Sequence, residues 1–259
     1  RAAAASGVRK VKFLGGEPLL RRDLPDVIRG VRDLDLDLSM ITAGVGPKGA
    51  LDALIEAGLD RVNLSIHGWS EQAFRERTHR NGWARRNQTL DRLLEWGRPL
   101  KLNYVYTGPQ DEPDMTAFLE ACSSRPVVAA ILDDLGQEDL DHSVLFDVLV
   151  GLRGFPLQTW SEPDPNSLPT LRAAWADGLV VELKDHQLGA VAPWRSCATC
   201  DVRSMCREGI HALRLGHDGT LRTCMDRPDL GVDLALAHRL GRVQPTFSHF
   251  LDIHVRRPA

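Results

Sequence analysis

Short apolar stretches alternate with amphipathic helical patterns through the first 160 residues. The helical pattern is clearest in residues 48–57, where Leu51, Leu54 and Ile55 share one face and Gly58 follows as a C-terminal cap. Strands are predicted at 11–14, 36–42, 61–68, 100–106, 127–132 and 155–160, and helices at 24–31, 48–57, 72–76, 90–96, 115–122 and 144–152. This alternation predicts an α/β fold with a parallel sheet.

The helices between successive strands are long enough to form right-handed crossovers. The pattern therefore predicts a partial (β/α)6 TIM-like barrel of parallel strands. One of its strands is counted before Arg1, because residues 1–5 have the pattern of a helix already under way and indicate an N-terminally truncated barrel. In barrels the chemistry lies at the carboxyl ends of the strands. Polar or glycine positions fall at or near these ends at Gly15, Gly16, Glu17, Thr42, Ser65, His67, Asn103, Tyr104, Asp133 and Asp134.

A proline-rich polar stretch at 161–169 predicts a boundary between a barrel domain at 1–165 and a second domain at 166–259. In the second domain a helix is predicted at 171–175 and a strand at 179–183. Residues 212–215 and 220–224 flank the turn His217-Asp218-Gly219, which predicts a hairpin.

The totals exclude several classes of protein. A net charge of −3 and a pI near 6.3 give no reason to expect nucleic acid as a partner. No apolar run approaches the roughly 20 residues of a membrane span, and nothing resembles a signal peptide. A cytoplasmic protein is therefore expected.

Four of the five cysteines lie in one stretch of 28 residues. They are Cys197, Cys200, Cys206 and Cys224. Such clustering in a cytoplasmic α/β protein indicates a metal centre rather than disulfides. The irregular spacing favours an iron–sulfur cluster over zinc, which usually takes two paired knuckles, and free thiols remain the third alternative. The fifth cysteine, Cys122, is expected to be a buried packing residue on a helix.

Gly15-Gly16-Glu17-Pro18 directly follows an apolar strand and precedes a helix. An ordinary glycine turn between strand and helix is the simple interpretation. The motif also resembles the S-adenosylmethionine-binding turn of radical SAM enzymes, and residues 7–25 resemble the GTP 3′,8-cyclase branch of that superfamily. The resemblance implies that Gly15, Gly16, Glu17, Pro18, Thr42 and Ser65 bind the cofactor.

The same resemblance implies substrate contacts by Lys12, Lys101, Asn103 and Arg214. Ile41, Ala43 and Ala212 depart from the cyclase pattern, which leaves the choice between a nucleotide and a peptide or natural-product substrate open. The segment from Cys197 to Cys224 resembles the auxiliary [4Fe–4S] cluster region of these enzymes. The Cys-x3-Cys-x2-Cys triplet that binds the radical-generating [4Fe–4S] cluster is absent and is expected upstream of Arg1.

The resemblance therefore implies an enzyme that uses a 5′-deoxyadenosyl radical to abstract a substrate hydrogen, with flavodoxin or ferredoxin as electron donor. A non-catalytic barrel with a structural metal site is the alternative from another class, and it would hold if the native protein lacked the upstream cysteines.

Overall fold

A computed structural model of the chain describes residues 1–133, 142–162, 170–184, 195–201, 212–224 and 227–255. The helices are α1 Ala2–Ala5, α2 Leu24–Arg29, α3 Ala50–Ala57, α4 Glu71–Thr78, α5 Trp83–Trp96, α6 Glu112–Ser123, α7 His142–Arg153, α8 Leu234–Arg239 and α9 Val243–His254. The strands are β1 Lys10–Phe13, β2 Asp37–Thr42, β3 Arg61–Ile66, β4 Leu100–Tyr106, β5 Val127–Asp133, β6 Gln158–Glu162, β7 Thr170–Ala174, β8 Val180–Lys184, β9 Arg214–Leu215, β10 Thr220–Arg222 and β11 Val232–Asp233.

Eight strands form one sheet in the order β1-β2-β3-β4-β5-β8-β7-β6. The first six in that order run parallel, whereas β7 pairs antiparallel with both β8 and β6. Among the described residues β1 and β6 are edge strands, so the sheet is not a closed barrel. The predicted α/β fold with a partial barrel of parallel strands is confirmed.

The two faces of the sheet differ in polarity. Residues such as Leu38, Leu64 and Leu102 lie on the apolar face and are completely buried. Their neighbours along each strand point to the other face, because side chains alternate in a strand. On that polar face the register aligns Asn63 with Lys101 on the adjacent strand.

The sheet is strongly curved towards its polar face. Lys12 on β1 and Lys184 on β8 are five strand positions apart, which in a flat sheet is about 24 Å. The charge of Lys184 nevertheless lowers the pKa of Lys12, second only to burial among the causes. The curvature therefore brings the first and sixth parallel strands into electrostatic range of each other, as in a partial barrel.

One predicted element has the wrong type, and one predicted strand has the wrong place in the sheet. The helix expected at 171–175 is strand β7, and the segment near 155–160 forms β6, which pairs antiparallel with β7 instead of extending the parallel set. The sixth parallel strand is β8. Strands β7 and β8 thus join the large sheet although they lie beyond residue 165, where the sequence predicts the change of domain.

The contacts divide the chain into two compact units. The larger contains Val8–Glu162 and Thr170–Lys184. The smaller contains Arg1–Gly7 and the described residues from 195 onward. The core of the smaller unit is formed by Leu221, Phe247, Phe250 and Leu251, against which Ala2 and Ala3 of α1 pack. The predicted hairpin is present as β9 and β10, and β11 adds a third strand. No helix in the described part of the chain has the length and hydropathy needed to cross a membrane.

Candidate functional site

The turn after β1 places two glycines in backbone conformations that L-residues rarely adopt. Gly15 has φ of 90° and Gly16 has φ of 36°. A Cβ added at either glycine would meet no atom within 4 Å. The glycines are therefore required by the backbone path and not by close packing, and space is open in front of them.

The carbonyl oxygens of this turn are available to a ligand. Within the described residues, neither Gly15 nor Gly16 has a carbonyl oxygen that accepts a hydrogen bond, and both residues are exposed. Carbonyl oxygens are acceptors with two lone pairs each. The turn therefore offers free acceptors to a cationic donor such as an ammonium group.

Glu17 holds the turn against the end of the neighbouring strand. Its Oε1 accepts hydrogen bonds from the Leu19 amide at 3.0 Å and the Thr42 hydroxyl at 2.5 Å, and its Oε2 accepts one from the Ala43 amide at 2.8 Å. A carboxylate has about four acceptor positions. Three are used within the protein, which leaves about one for a ligand. Glu17 is thus mainly an anchor between β1 and β2.

Thr42 continues this network into the loop after β2. Besides donating to Glu17, its hydroxyl accepts a hydrogen bond from the Gly44 amide at 2.9 Å, and the Gly44 carbonyl accepts one from Thr89 on α5 at 2.8 Å. Thr42 is only 2% exposed. The predicted cofactor residue Thr42 therefore lies behind the turn as a support, and Pro18 lies buried in the short 3-10 helix Pro18–Leu20.

The end of β3 lies at the same edge of the sheet. Ser65 lies on its polar face and is partly exposed. Burial lowers the pKa of His67, the nearby Arg77 and Arg86 lower it further, and the Glu17 carboxylate opposes them. This influence places His67 within electrostatic range of Glu17. Gly15, Gly16, Glu17, Thr42 and Ser65 thus all lie at the carboxyl ends of β1, β2 and β3.

A buried arginine supports the loop after β3. Arg86 on α5 is completely buried, its guanidinium lies over the rings of Trp69 and Phe74, and its Nη2 donates to the Gly68 carbonyl at 3.1 Å. Within the described residues its Nε and Nη1 have no hydrogen-bond partner. Burial lowers the pKa of Arg86. Sequence reasoning missed this residue, because residues 78–86 have the composition of a polar loop.

The predicted substrate residues Lys12, Lys101 and Asn103 lie on the polar face. Lys101 forms an ion pair with Glu182 of β8. Asn103 lies beside Ala130 of β5, which in turn lies beside Glu182. Cationic and acidic side chains of this face that sequence reasoning missed are Arg61, Asp37, Arg172 and Glu182. The alternating residues of 180–184 contain the signal for Glu182, but they were assigned to another domain.

Three of the four predicted cysteine ligands lie in the described part of the chain. Cys197 lies in the 3-10 turn Arg195–Thr199, Cys200 follows it, and Cys224 lies after β10. Cys206 lies outside the described residues. In the portion of the chain that is described, no three metal-binding side chains come together. The predicted ligand set therefore stays a prediction.

The structure also places Arg214 and Cys122, the last two residues singled out in the sequence. Arg214 on β9 donates to the carbonyl oxygens of Ala212 and Thr223 at 3.4 and 3.3 Å, so its side chain bridges the hairpin. Cys122 is 1% exposed on α6, and burial raises the pKa of its thiol to about 12. The expectation of a buried packing cysteine agrees with this placement.

Comparison with known proteins shows which proteins this chain is similar to. The sequence profile of the radical SAM superfamily matches residues 1–122. A protein named "Probable GTP 3′,8-cyclase" from Sulfolobus acidocaldarius is 30% identical over 236 residues, which cover 88% of this chain and 70% of that protein. The protein of the same name from Metallosphaera sedula is 29% identical over 252 residues, which cover 92% of this chain and 72% of that protein.

The chain belongs to the radical SAM superfamily. Within that superfamily it is similar to proteins named as GTP 3′,8-cyclases. Among solved structures it is similar to SuiB from Streptococcus suis, with a TM-score of 0.60 and 15% identity. The match covers 88% of this chain but only 52% of SuiB, about half of that protein. SuiB has also been solved with S-adenosylmethionine and with its precursor peptide SuiA.

Proposed function

We propose that this chain is the catalytic barrel of a radical SAM enzyme that binds S-adenosylmethionine at the Gly15–Gly16 turn. The observation that carries the proposal is the pair of exposed glycine carbonyl oxygens, without described partners, beside the anchored carboxylate of Glu17. The methionine end of the cofactor carries an ammonium group, and such a group requires hydrogen-bond acceptors. The residues present therefore fit the cofactor that the superfamily implies.

The cofactor and a [4Fe–4S] cluster bound by an upstream segment would supply a 5′-deoxyadenosyl radical for hydrogen abstraction. The chain's own residues hold and orient the cofactor. Gly15 and Gly16 accept hydrogen bonds from the ammonium, Glu17 fixes the turn and adds one negative charge, and Ser65 offers a hydroxyl from β3. Thr42 acts through Glu17 and the loop after β2.

The polar face of the sheet is the proposed substrate site. Lys12, Arg61, Lys101 and Arg172 give it more positive than negative charge, since among the described residues the ion pairs of these cations involve two acids, Asp37 and Glu182. This excess favours an anionic substrate. A nucleotide is supported by the similarity to proteins named as GTP 3′,8-cyclases, and a peptide or natural product is the alternative.

The cysteine-rich segment is proposed to bind an auxiliary [4Fe–4S] cluster through some or all of Cys197, Cys200, Cys206 and Cys224. The chemistry of the thiolate donors supports this, although no three metal-binding side chains come together among the described residues. Iron and acid-labile sulfide are to be quantified in anaerobically purified protein, with each cysteine changed to serine separately. A variant that keeps its full iron content removes that cysteine from the ligand set, and zinc without iron contradicts the cluster.

The cofactor proposal is tested in the full-length protein, reconstituted anaerobically with iron and sulfide and reduced with dithionite. Formation of 5′-deoxyadenosine and methionine is measured by mass spectrometry. We expect Glu17→Ala to reduce product at least tenfold and Ser65→Ala to reduce cofactor affinity severalfold. Ser124→Ala, which removes an exposed hydroxyl at the end of α6, is the control and should match wild type.

Absence of 5′-deoxyadenosine from wild type with a complete cluster would leave the non-catalytic barrel as the better function. The substrate is approached by thermal unfolding with and without GTP, since a ligand that binds only the folded state raises the melting temperature. Stabilisation by GTP supports the nucleotide. Cofactor cleavage without any GTP effect directs the search to peptides and natural products.

A further inference from the structure

Glu182 lies on the polar face with both of its oxygens already paired. Lys101 forms an ion pair with Oε1, and Arg172 donates to Oε2 from Nη2 at 3.1 Å and from Nε at 3.3 Å. The register explains these contacts. Arg172 is directly opposite Glu182 on the antiparallel neighbour β7, while Lys101 reaches from β4 across β5.

The small side chain of Ala130 makes the second contact feasible. Ala130 on β5 lies between Asn103 and Glu182 in the register and is only 3% exposed. A long side chain at that position would stand between Lys101 and Glu182. The three charged residues thus form one continuous charged row on the polar face, from β4 over β5 to β8 and β7.

The burial of this row is uneven. The Glu182 side chain is 7% exposed, whereas those of Lys101 and Arg172 are 29% and 27% exposed. A ligand can therefore touch the two cations without reaching Glu182. An anion that took either cation away would leave a buried carboxylate with incomplete compensation, which is strongly unfavourable. The charge of Lys101 and Arg172 is thus largely unavailable to a polyanion.

Lys12 stands in a different situation on the same face. No described residue forms a hydrogen bond or ion pair with its ammonium, although burial and the charges of nearby cations lower its pKa. Its neighbour Arg61 is held by Asp37 through two hydrogen bonds, at 2.7 and 3.0 Å. Of Lys12, Arg61, Lys101 and Arg172, only Lys12 forms no ion pair with a described residue. Asp37, which Arg61 already holds, acts on the charge of Lys12 from beyond ion-pair distance.

We propose that Glu182 is a specificity-determining residue, which keeps Lys101 and Arg172 from binding a chain of phosphates and confines anion recognition to Lys12. The substrate of this barrel then carries its anionic group near β1 and presents no triphosphate to β4 and β8. The inference rests on the proposed function, because it takes the polar face as the substrate site.

The test uses inorganic phosphate and tripolyphosphate as probes of the reconstituted protein, at constant ionic strength, with affinity measured by calorimetry. Glu182→Gln keeps the shape and removes the charge. We expect it to tighten tripolyphosphate binding at least tenfold, and phosphate binding much less, because Lys101 and Arg172 become available. Asp26→Asn, at an exposed ion pair of α2, is the control for the added net charge and should change neither affinity.

Two further variants locate the effect. Adding Lys101→Met to Glu182→Gln should remove most of the gain. In an otherwise wild-type chain, Lys12→Met should weaken phosphate binding at least tenfold and Lys101→Met less than threefold. The comparison of Lys12→Met with Lys101→Met needs no substitution of Glu182. It therefore tests whether anion binding depends on Lys12 even if Glu182→Gln does not fold.

A folded Glu182→Gln protein without a gain in tripolyphosphate affinity would overturn the inference, as would a tenfold loss of binding in Lys101→Met. Formation of 5′-deoxyadenosine by the wild-type protein distinguishes failure of the role of Glu182 from failure of the proposed function. If wild type cleaves the cofactor but the affinities do not follow the expected pattern, only the role of Glu182 fails. If wild type does not cleave it, the proposed function fails.

Discussion

The hydroxyl of Thr42 donates a hydrogen bond of 2.5 Å to the carboxylate of Glu17. The two residues are 25 positions apart, and this bond joins the ends of the parallel strands β1 and β2. Thr42 thereby connects a glycine turn that offers free carbonyl oxygens with the loop that begins at Gly44. The candidate cofactor site depends on this contact between strands more than on any residue that faces the ligand.

Replacement of Thr42 by valine should therefore damage both stability and cofactor binding. Valine has nearly the same shape, but it removes the shorter of the two hydrogen bonds to Oε1 of Glu17 and leaves the Gly44 amide without its partner. We expect the free energy of unfolding to fall by about 2–3 kcal/mol, because the bond is to a charged group. Affinity for S-adenosylmethionine should fall at least tenfold in equilibrium binding.

Thr89→Val is the matched control, since Thr89 donates to the Gly44 carbonyl and does not touch Glu17. It should cost about 1 kcal/mol and leave cofactor affinity within threefold of wild type. Equal losses of affinity in the two variants would show that the Glu17 contact is not the important one.

Two glycines near the site should respond differently to alanine. At Gly15 the added Cβ meets nothing within 4 Å but the φ of 90° is strained, so about 1–2 kcal/mol of stability should be lost. At Gly46 the backbone is not in the left-handed region, but the Cβ would lie 2.3 Å from the Cβ of Leu19. Overpacking there should cost about 1–3 kcal/mol and displace the segment after Glu17.

Cofactor affinity should fall in both variants, for different reasons. Gly15→Ala should bind S-adenosylmethionine at least tenfold more weakly, because the strained alanine distorts the turn proposed to bind the cofactor. Gly46→Ala should also bind more weakly, because the displaced Leu19 follows the anchor residue Glu17. Both are measured by urea unfolding and equilibrium binding, and an unchanged affinity in a folded Gly15→Ala protein would contradict binding of the cofactor at this turn.

Asp60 should make the free energy of unfolding depend on pH under acidic conditions. Burial alone would raise the pKa of Asp60, but hydrogen bonds from Arg32 at 2.8 and 2.9 Å and from the Leu38 amide at 2.8 Å outweigh it and lower the pKa. A carboxyl group with a lowered folded-state pKa contributes stability above its usual pKa near 3.8 and loses it as the pH falls through the folded value.

Asp60→Asn should accordingly lower the free energy of unfolding by about 1–2 kcal/mol at pH 7. The difference from wild type should begin to shrink as the pH approaches the usual value of 3.8 and keep shrinking as the pH falls through the lower folded-state pKa. Chemical denaturation across this range measures it. Asp26→Asn, which removes an exposed acid, should show little effect at any pH. A difference that is constant with pH would contradict the assigned role.

Cys122 should behave as an inert thiol in the folded protein. Burial raises the pKa of its thiol to about 12, with a smaller opposing effect of Arg125. Labelling with iodoacetamide at pH 8, mapped by mass spectrometry, should be at least a hundredfold slower at Cys122 than in urea. The unfolded thiol ionises above its usual pKa of 9.0 while the folded one does not, so stability should fall above that pH. Rapid labelling of the native protein would refute the placement.

Local patterns were enough to predict the parallel sheet and the glycine turn after β1. The alternation of residues 36–42 and the helical spacing of 48–57 both agree with β2 and α3. The glycine turn after β1 was identified because its chemistry is contained in adjacent residues. The start of α5 at Trp83 was missed, because polar residues cover its first turn and its burial comes from contacts such as that of Arg86 with Trp69.

The antiparallel return of the chain was not predictable from these patterns. The stretch 171–175 is too short for the spacing of its apolar residues to distinguish a helix from a strand. Its conformation is determined by the pairing of β7 with β6 and β8. The contacts of Glu182 have the same origin. They depend on a register that joins residues 81 and 10 positions apart in the chain.

The amino-acid sequence alone determined the class of this protein, since an apolar strand followed by Gly15, Gly16 and Glu17 needs only neighbouring residues to make its turn. The tertiary structure decided which charges are available. Lys12 and Lys101 look equivalent as lysines in strands of alternating pattern, but the fold pairs Lys101 with Glu182, whereas Lys12 forms no ion pair with a described residue. The physical reason is that compensation of charge depends on distance in space, which sequence separation does not reveal.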